Sequence, residues 1–359
     1  MSAVAKRRTA GRSEDAAGQS DDAAQSEVTA RSEVTARSVA LVAARKPRAE
    51  ALGRELANLV GDPDAFAETL ARGFAELADP DYLEGQRRIA PGIGRLYAVR
   101  WPLTAAVARG FRDTLRRERP IGYLEVAARL FAEPELEPRW FAFGLLERLL
   151  SDDPERAWQL LRRAAREAGD WITVDSLAHP VGRGILNEPY RWAELDSLVF
   201  SPSRWERRLV GSTVATVPFV DRRLGRAPEV GRHGLDLLDE LIGDDEPDVQ
   251  KALAWALRSL TLIDRAAVVA FVERQADLAV QTRDGNRAWV LRDALSKLPP
   301  DAAAAARARL DGIRRRPGEA SSSRAAATVA RFAGAPGLPG PAAHQDRFPD
   351  TAGPGDARP

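Results

Sequence analysis

The chain has 359 residues, and its 53 Lys and Arg almost balance its 52 Asp and Glu, so the net charge of +1 indicates no class of partner. It contains no cysteine, which excludes disulfides, thiolate metal sites and cysteine nucleophiles. Its histidines, His179, His233 and His344, are far apart, so we expect neither a metal site nor a cofactor. The sequence has no signal-like apolar segment and no apolar run of roughly 18 residues, so a cytoplasmic protein without membrane contact is expected.

Both ends of the chain have compositions that are typical of disordered segments. The N-terminal end is rich in Ser, Ala, Glu and Arg and contains SEVTAR twice in succession at Ser26–Arg37. The C-terminal end is rich in Gly, Pro and Ala. We therefore predict a disordered arm at 1–40, a folded body at 41–316 and a disordered tail at 317–359.

The middle of the chain predicts helices almost throughout and no strand. Helix starts are indicated at Asp62–Pro63 and Asp153–Pro154, where Asp can cap the helix and Pro fits its first position. Gly169 ends the second of these segments, as a glycine after a helix commonly does. Apolar residues recur at helical spacing between such signals.

The spacing of these helices predicts a repeat architecture. Helix pairs separated by short polar turns recur at roughly 35–50 residues, which suggests HEAT-like repeats. A single pair cannot bury its apolar face, whereas stacked pairs can. The expected fold is an all-α, HEAT-like helical-repeat solenoid with a concave binding face.

Asp175 is unusual because it lies beside an apolar stripe and one helical turn after Trp171. A carboxylate against an indole and an apolar surface is unfavourable unless it is paired or hydrogen-bonded. Two interpretations remain open. Asp175 either pairs structurally with an arginine or caps a neighbouring helix, or it faces a cation that develops in a water-poor cleft.

Trp255 lies between two cations in the stretch QKALAWALRSL. Lys251 and Arg258 share its helix face, while Leu253 and Leu257 belong to the opposite, apolar face. A core tryptophan is expected among the leucines, so this placement favours a functional surface. The alternative is that Trp255 packs into a neighbouring repeat.

A third cluster contains Arg204, Arg207 and Arg208. The surrounding segment Ser203–Arg226 has six arginines and two acidic residues, and its valines form an apolar stripe. Arg208 is predicted to project away from that stripe, beside Arg204 and Ser212. Arginine side chains suit phosphate oxygens, so this row could follow a nucleic-acid backbone. An ordinary solvated charged face is the alternative.

Two other features are weak. His179 precedes Pro180 within a predicted helix, which indicates a kink more than a base. The Gly-x-Gly pairs at Gly92/Gly94 and Gly182/Gly184 lack the strand and the third glycine of a dinucleotide-binding loop.

The order of these clusters resembles a known family. Trp-x-x-x-Asp in DWITVDSL, Trp-x-x-Arg in WERR and Trp-x-x-Arg in QKALAWALR follow one another on successive helix hairpins. This succession resembles the DNA alkylation repair glycosylases of the AlkD type, which are built from HEAT-like repeats, and the similarity covers about residues 98–300. The resemblance implies aromatic walls at Trp171 and Trp255, a catalytic carboxylate at Asp175 and a DNA-backbone anchor at Arg208. The further DNA-binding candidates are Arg204, Arg207, Lys251 and Arg258.

The resemblance also implies a reaction and a partner. The expected activity is hydrolysis of the N-glycosidic bond of cationic N3- or N7-alkylated purines, such as 3-methyladenine and 7-methylguanine, in double-stranded DNA. The protein is expected to act as a monomer, and a cationic leaving base requires no general acid. The competing hypothesis is a non-enzymatic HEAT scaffold that binds DNA or protein. An Asp175 tied to an arginine, with the two tryptophans buried apart, would favour the scaffold.

Overall fold

The computed structural model describes residues 35–332, and it is all-α over this range, as the sequence predicts. The described residues form no sheet. They contain two isolated bridges, an antiparallel one between Ala78 and Val99 and a parallel one between Arg95 and Glu135. The chain divides into two compact units, Met1–Leu145 and Leu146–Pro359.

The first unit consists of helices joined by short turns. Its helices are α1 (35–57), α2 (Pro63–Leu77), α3 (Pro80–Ile89), α4 (Trp101–Thr114), α5 (Tyr123–Leu130) and α6 (Leu136–Leu149), the last of which continues into the second unit.

The turn between α3 and α4 is held by a buried carboxylate. Glu137 accepts hydrogen bonds from the backbone nitrogens of Tyr97 at 3.1 Å and Ala98 at 2.7 Å. Burial raises the pKa of the Glu137 carboxyl, and these backbone donors act in the opposite direction. The turn includes Ala98 in the left-handed region, with φ of 65°, so the carboxylate stabilises an otherwise unfavourable backbone.

The second unit contains the remaining helices. They are α7 (Pro154–Glu167), α8 (Trp171–Asn187), α9 (Trp192–Leu198), α10 (Arg204–Val220), α11 (Pro228–Leu241), α12 (Pro247–Leu260), α13 (Arg265–Thr282), α14 (Gly285–Ala294), α15 (Pro300–Arg309) and α16 (Arg324–Phe332), with short 3₁₀ turns at Pro189–Arg191 and Leu295–Lys297.

Aspartates cap the predicted helix starts. Asp62 accepts from the backbone of Ala65 at 3.0 Å, and Asp153 accepts from that of Arg156 at 3.4 Å. Proline occupies the first position of both helices, so the two Asp–Pro starts are confirmed. The same device without proline begins α8, where Asp170 accepts from the backbone of the third helical residue at 2.9 Å.

Four helices of the second unit pack side by side. Helix α10 lies between α8 and α12, and α12 packs in turn against α14. Contacts near the helix starts join Arg208 to Asp175, and contacts near the helix ends join Arg183 to the Val220 carbonyl, so α8 and α10 run parallel. Helices α7, α11 and α13 alternate with this parallel layer along the chain and pack against it, which is a helical-repeat arrangement.

Glycines allow α10 to approach both neighbours closely. A Cβ at Gly182 on α8 would lie 3.1 Å from Val217 Cγ2, and one at Gly211 on α10 would lie 2.9 Å from Ala252 Cβ. Helix α10 is consequently buried without interruption from Arg208 to Pro218. A helix buried on two sides hides polar as well as apolar residues.

The helical region extends beyond the predicted body at both ends. Helix α1 begins within the predicted arm, and α16 lies within the predicted tail, where Ala325 is 2% exposed. The rest of the arm (1–34) and of the tail (333–359) lies outside the described residues. No helix that the structure describes has both the length and the apolar content to cross a membrane.

Candidate active site

The first turn of α8 places Trp171 and Asp175 on one face. Asp170 caps this turn, accepting from the hydroxyl of Thr173 at 2.7 Å as well as from its backbone nitrogen. Asp175 follows Trp171 by one helical turn, and both side chains are half-buried. The indole and the carboxylate therefore share one face of a firmly capped helix.

Arg208 of α10 holds the Asp175 carboxylate from the side. Its Nη2 lies 2.7 Å from Asp175 Oδ2, and its Nε lies 3.1 Å from Oδ1, which is a two-point guanidinium–carboxylate pair. The guanidinium carbon also lies 5.8 Å from the centre of the Trp171 ring. The Arg208 side chain is 6% exposed, whereas that of Asp175 is 21% exposed. The cation is thus buried behind a carboxylate that solvent can reach.

Arg208 projects away from the valine stripe of its own helix, as the helical spacing places it, yet it is buried. The valine stripe accounts for only one of the packed faces of α10. Because α10 is enclosed by α8 and α12, the other face is covered too. Arg208 Nη1 donates to the Asp248 carbonyl at 2.6 Å, which fixes the guanidinium against the start of α12.

Ser212 is a site residue to which the sequence analysis assigned no role. It is fully buried, and its hydroxyl donates to Asp175 Oδ1 at 2.6 Å. Ser212 follows Arg208 by one helical turn, so both donors come from one face of α10. A serine four residues after a candidate arginine was the available signal.

The hydrogen bonds leave the two carboxylate oxygens unequal. Oδ1 accepts from both Arg208 and Ser212, which occupies its two lone pairs. Among the described residues, Oδ2 accepts from Arg208 alone. Oδ2 is therefore the oxygen of Asp175 that retains an acceptor position for a further group.

Helix α12 turns one narrow stripe to solvent. Asp248, Lys251, Trp255 and Arg258 remain at least partly exposed, while almost all residues between them are buried. Trp255 comes seven residues after Asp248, so it lies on the face that contacts Arg208, roughly 10 Å farther along the axis. The prediction that Trp255 stands apart from the leucine stripe is confirmed.

The remaining cations of the predicted site differ in availability. Arg207 is bound to Asp244 at 2.7 Å and to the carbonyls of Ser201 and Pro202, so it fastens the start of α10. Arg258 pairs with Asp293 at 2.7 Å on α14. These two arginines act as links between elements.

Two cations are open to solvent. Lys251 is exposed on the α12 stripe, and Arg204 is exposed at the start of α10. The Arg204 guanidinium lies 4.8 Å from the centre of the Trp205 ring, and its Nη1 lies 3.7 Å from Glu246 Oε2. A distant exposed pair of this kind contributes little and leaves the arginine able to contact a further anion.

His179 continues the Asp175 face of α8. It follows Asp175 by one turn, and its Nδ1 lies 2.9 Å from Glu147 Oε2 on α6. Pro180 stands inside α8, which nevertheless runs on to Asn187. No group of three or more His, Asp or Glu side chains within residues 35–332 has the arrangement of a metal site.

Comparison with known proteins identifies one family. The family described as DNA alkylation repair enzyme matches residues 70–298, which is more than half of the chain and includes every residue of the site. Comparison with curated proteins finds no match.

Proposed function

This chain belongs to the family of DNA alkylation repair enzymes of the AlkD type, and from that premise we propose that it is a DNA glycosylase. Its substrates are cationic N3- and N7-alkylated purines in duplex DNA, and it hydrolyses the bond between base and deoxyribose. One observation carries the proposal: the Asp175 carboxylate is partly open to solvent, while the arginine and serine that hold it are buried.

The charge change in this reaction suits a fixed carboxylate. An alkylated N3 or N7 gives the purine a positive charge, and cleavage of the glycosidic bond transfers that charge to the sugar as an oxocarbenium-like state. Asp175 stabilises the developing sugar cation because its position is set beforehand by Arg208 and Ser212. The open position on Oδ2 is available to orient the water that attacks the sugar.

The two half-exposed indoles suit the same charge. An indole face attracts a nearby cation by roughly 0.5–2 kcal/mol, depending on how far water is excluded. Trp171 adjoins Asp175 on α8, and Trp255 lies on the α12 face that holds Arg208. Both rings therefore favour the state in which positive charge grows on the sugar.

The exposed cations of the site bind the DNA backbone. Lys251 and Arg204 contact phosphates on either side of the target sugar, independently of base sequence. Arg208 acts mainly through Asp175, and a phosphate that reaches it has to share it with that carboxylate. Arg207 and Arg258 retain their links between elements and shape the surface.

A non-enzymatic scaffold is the second candidate function. The ion pair between Asp175 and Arg208 favours it, because an acid bound to an arginine is a common structural device. The partial exposure of Asp175, Trp171 and Trp255 favours the glycosylase, since a purely structural pair gains nothing from an open carboxylate.

The test is release of methylated bases from duplex DNA by the full-length chain. Wild type should release 7-methylguanine and 3-methyladenine, and Asp175→Asn should slow release by about 100-fold or more. Asp244→Asn is the matched control, because it removes the acid partner of the neighbouring Arg207 and should leave the rate within about two-fold. Binding of duplex DNA without any release by wild type would support the scaffold and refute the glycosylase.

A further inference from the structure

We propose that the Glu147–His179 pair accepts the proton that the attacking water loses in this reaction, an inference that rests on the proposed function. The pair lies on the open face of α8, one turn beyond Asp175. The sequence alone indicated only a kink at this histidine. The structure supplies it with a carboxylate partner.

The hydrolysis produces one proton that has to be taken up. The bond between the sugar C1′ and the purine nitrogen breaks, and its electron pair neutralises the cationic base. The water oxygen then bonds to C1′, and one water proton leaves. Because the departing base is already neutral after cleavage, the reaction needs a base for this proton and no acid for the leaving group.

Asp175 is poorly placed to keep that proton. Its Oδ1 accepts hydrogen bonds from Ser212 and Arg208, and its Oδ2 accepts a further one from Arg208. Protonation would remove the negative charge that balances the buried guanidinium, and an unpaired buried cation is strongly unfavourable. Asp175 can therefore orient the water, while another group takes the proton.

His179 meets the requirements for that second group. Its Nδ1 lies 2.9 Å from Glu147 Oε2, so in the neutral ring the N–H of Nδ1 donates to the carboxylate. Nε2 is left as the nitrogen that accepts a proton. The resulting imidazolium is balanced by Glu147, and the side chain is 44% exposed, so the proton can pass to solvent.

The position of His179 relative to Asp175 also suits a separate base that takes the water proton. Residues four apart on a helix have their Cβ atoms roughly 6 Å apart, which leaves room for one water between their side chains. Asp175 and His179 have this spacing and share the open stripe of α8. Inverting glycoside hydrolases likewise activate the attacking water with a base that is separate from the residue assisting departure of the leaving group.

The other charged groups around His179 hold the Glu147 carboxylate in place. Arg183, one turn farther along α8, has its Nε 3.5 Å from Glu147 Oε1 and its Nη1 3.7 Å from Asp221 Oδ2. Backbone N–H groups after α10 hold the pKa of Asp221 below its usual range, so it remains a partner for Arg183. From α7, Trp158 meets α8 at Gly184.

The experiment compares two histidine substitutions in the full-length chain. His179→Gln retains an amide that can donate to Glu147 and removes the proton acceptor. We expect single-turnover release of 7-methylguanine from duplex DNA to slow by about 10- to 100-fold at neutral pH, with duplex affinity unchanged. His233→Gln is the control, because His233 also pairs with a carboxylate, Asp196 at 3.0 Å, and should leave the rate unaltered.

Two further measurements distinguish proton transfer from structural support. Wild-type release should show a loss in acid that the slower release by His179→Gln lacks, because only wild type has the base that acid can protonate. Added imidazole should partly restore release by His179→Ala, since a free base can replace the missing one.

The outcomes separate the two proposals. Release by wild type with loss in Asp175→Asn supports the glycosylase. If His179→Gln then matches wild type at every pH, or is impaired with an unchanged pH profile while imidazole fails to rescue His179→Ala, the proton-acceptor proposal is refuted. Absence of release by wild type refutes both.

Discussion

Arg207 and Arg208 are consecutive residues of α10, and each forms a two-point pair with an aspartate of another segment. In the Arg207 pair the acid, Asp244, is the more hidden partner, with side-chain exposures of 3% for Asp244 and 15% for Arg207. In the Arg208 pair the order is reversed, with 21% for Asp175 and 6% for Arg208.

The reversal distinguishes a structural pair from a candidate reactive one. Asp244 also accepts from the backbone nitrogen of Glu246 at 2.9 Å, so this carboxylate stabilises the turn before α12. Asp175 faces outward with one acceptor position remaining, beside an indole. Both pairs join an arginine to an aspartate, so their chemistry does not distinguish them. They differ in which partner is more exposed to solvent.

The same conservative change at both arginines tests the difference between the two pairs most directly. Lysine keeps the positive charge and cannot form the two-point contact. Arg208→Lys should therefore slow 7-methylguanine release by roughly 10- to 100-fold, because Asp175 loses its fixed orientation. Single-turnover release assays measure this effect.

Arg207→Lys is expected to behave differently. It should lower the free energy of unfolding by about 1–2 kcal/mol, as lost hydrogen bonds to carboxylate and carbonyls do, and leave the release rate within about two-fold. Urea unfolding beside the release assay separates the two variants. Equal rate losses in both would remove the distinction drawn between the pairs.

A smaller effect is expected from Ser212. Ser212→Ala removes one hydrogen bond to Asp175 and leaves the two-point contact with Arg208. A loss of about 1 kcal/mol of orientation corresponds to a rate decrease of roughly five-fold with unchanged affinity for DNA. Ser259→Ala, at a buried serine of α12, serves as the control. An unchanged rate in Ser212→Ala would show that Arg208 alone sets the carboxylate.

The smallest effect concerns Lys251. Lys251→Ala should weaken binding of unmodified duplex DNA by about two- to five-fold at low salt and reduce the salt dependence by about one ion, because one phosphate contact is lost. Lys46→Ala removes an exposed lysine of the first unit and should change neither quantity. Fluorescence anisotropy across a salt series provides the measurement, and equal changes in both variants would argue for nonspecific charge.

Local rules were sufficient for much of the fold. The Asp–Pro starts of α2 and α7 were readable because a cap and the first turn involve neighbours in sequence. The placement of Trp255 was readable because the angle between positions on one helix is fixed. Helical spacing likewise put Trp171 and Asp175 on one face.

The burial of Arg208 was not readable by such rules. It depends on a second neighbour, α12, and on the close approach that Gly182 and Gly211 permit on either side of α10. The role of Ser212 is hidden for the same reason, since a serine in a run of small residues resembles ordinary packing. The partner of His179 is Glu147, which lies 32 positions earlier in the sequence. All three features depend on contacts between residues that are far apart in the sequence.

Gly211 carries an implication for how this surface can change. A methyl group there would meet the Ala252 carbonyl carbon at 3.0 Å and the Leu253 nitrogen at 3.1 Å, both on the backbone of α12. Widening the gap between the helices would draw the Asp248 carbonyl away from Arg208 and loosen the guanidinium. The absence of a side chain at Gly211 thus determines how firmly Asp175 is oriented, and any redesign of this surface would have to leave that helix spacing intact.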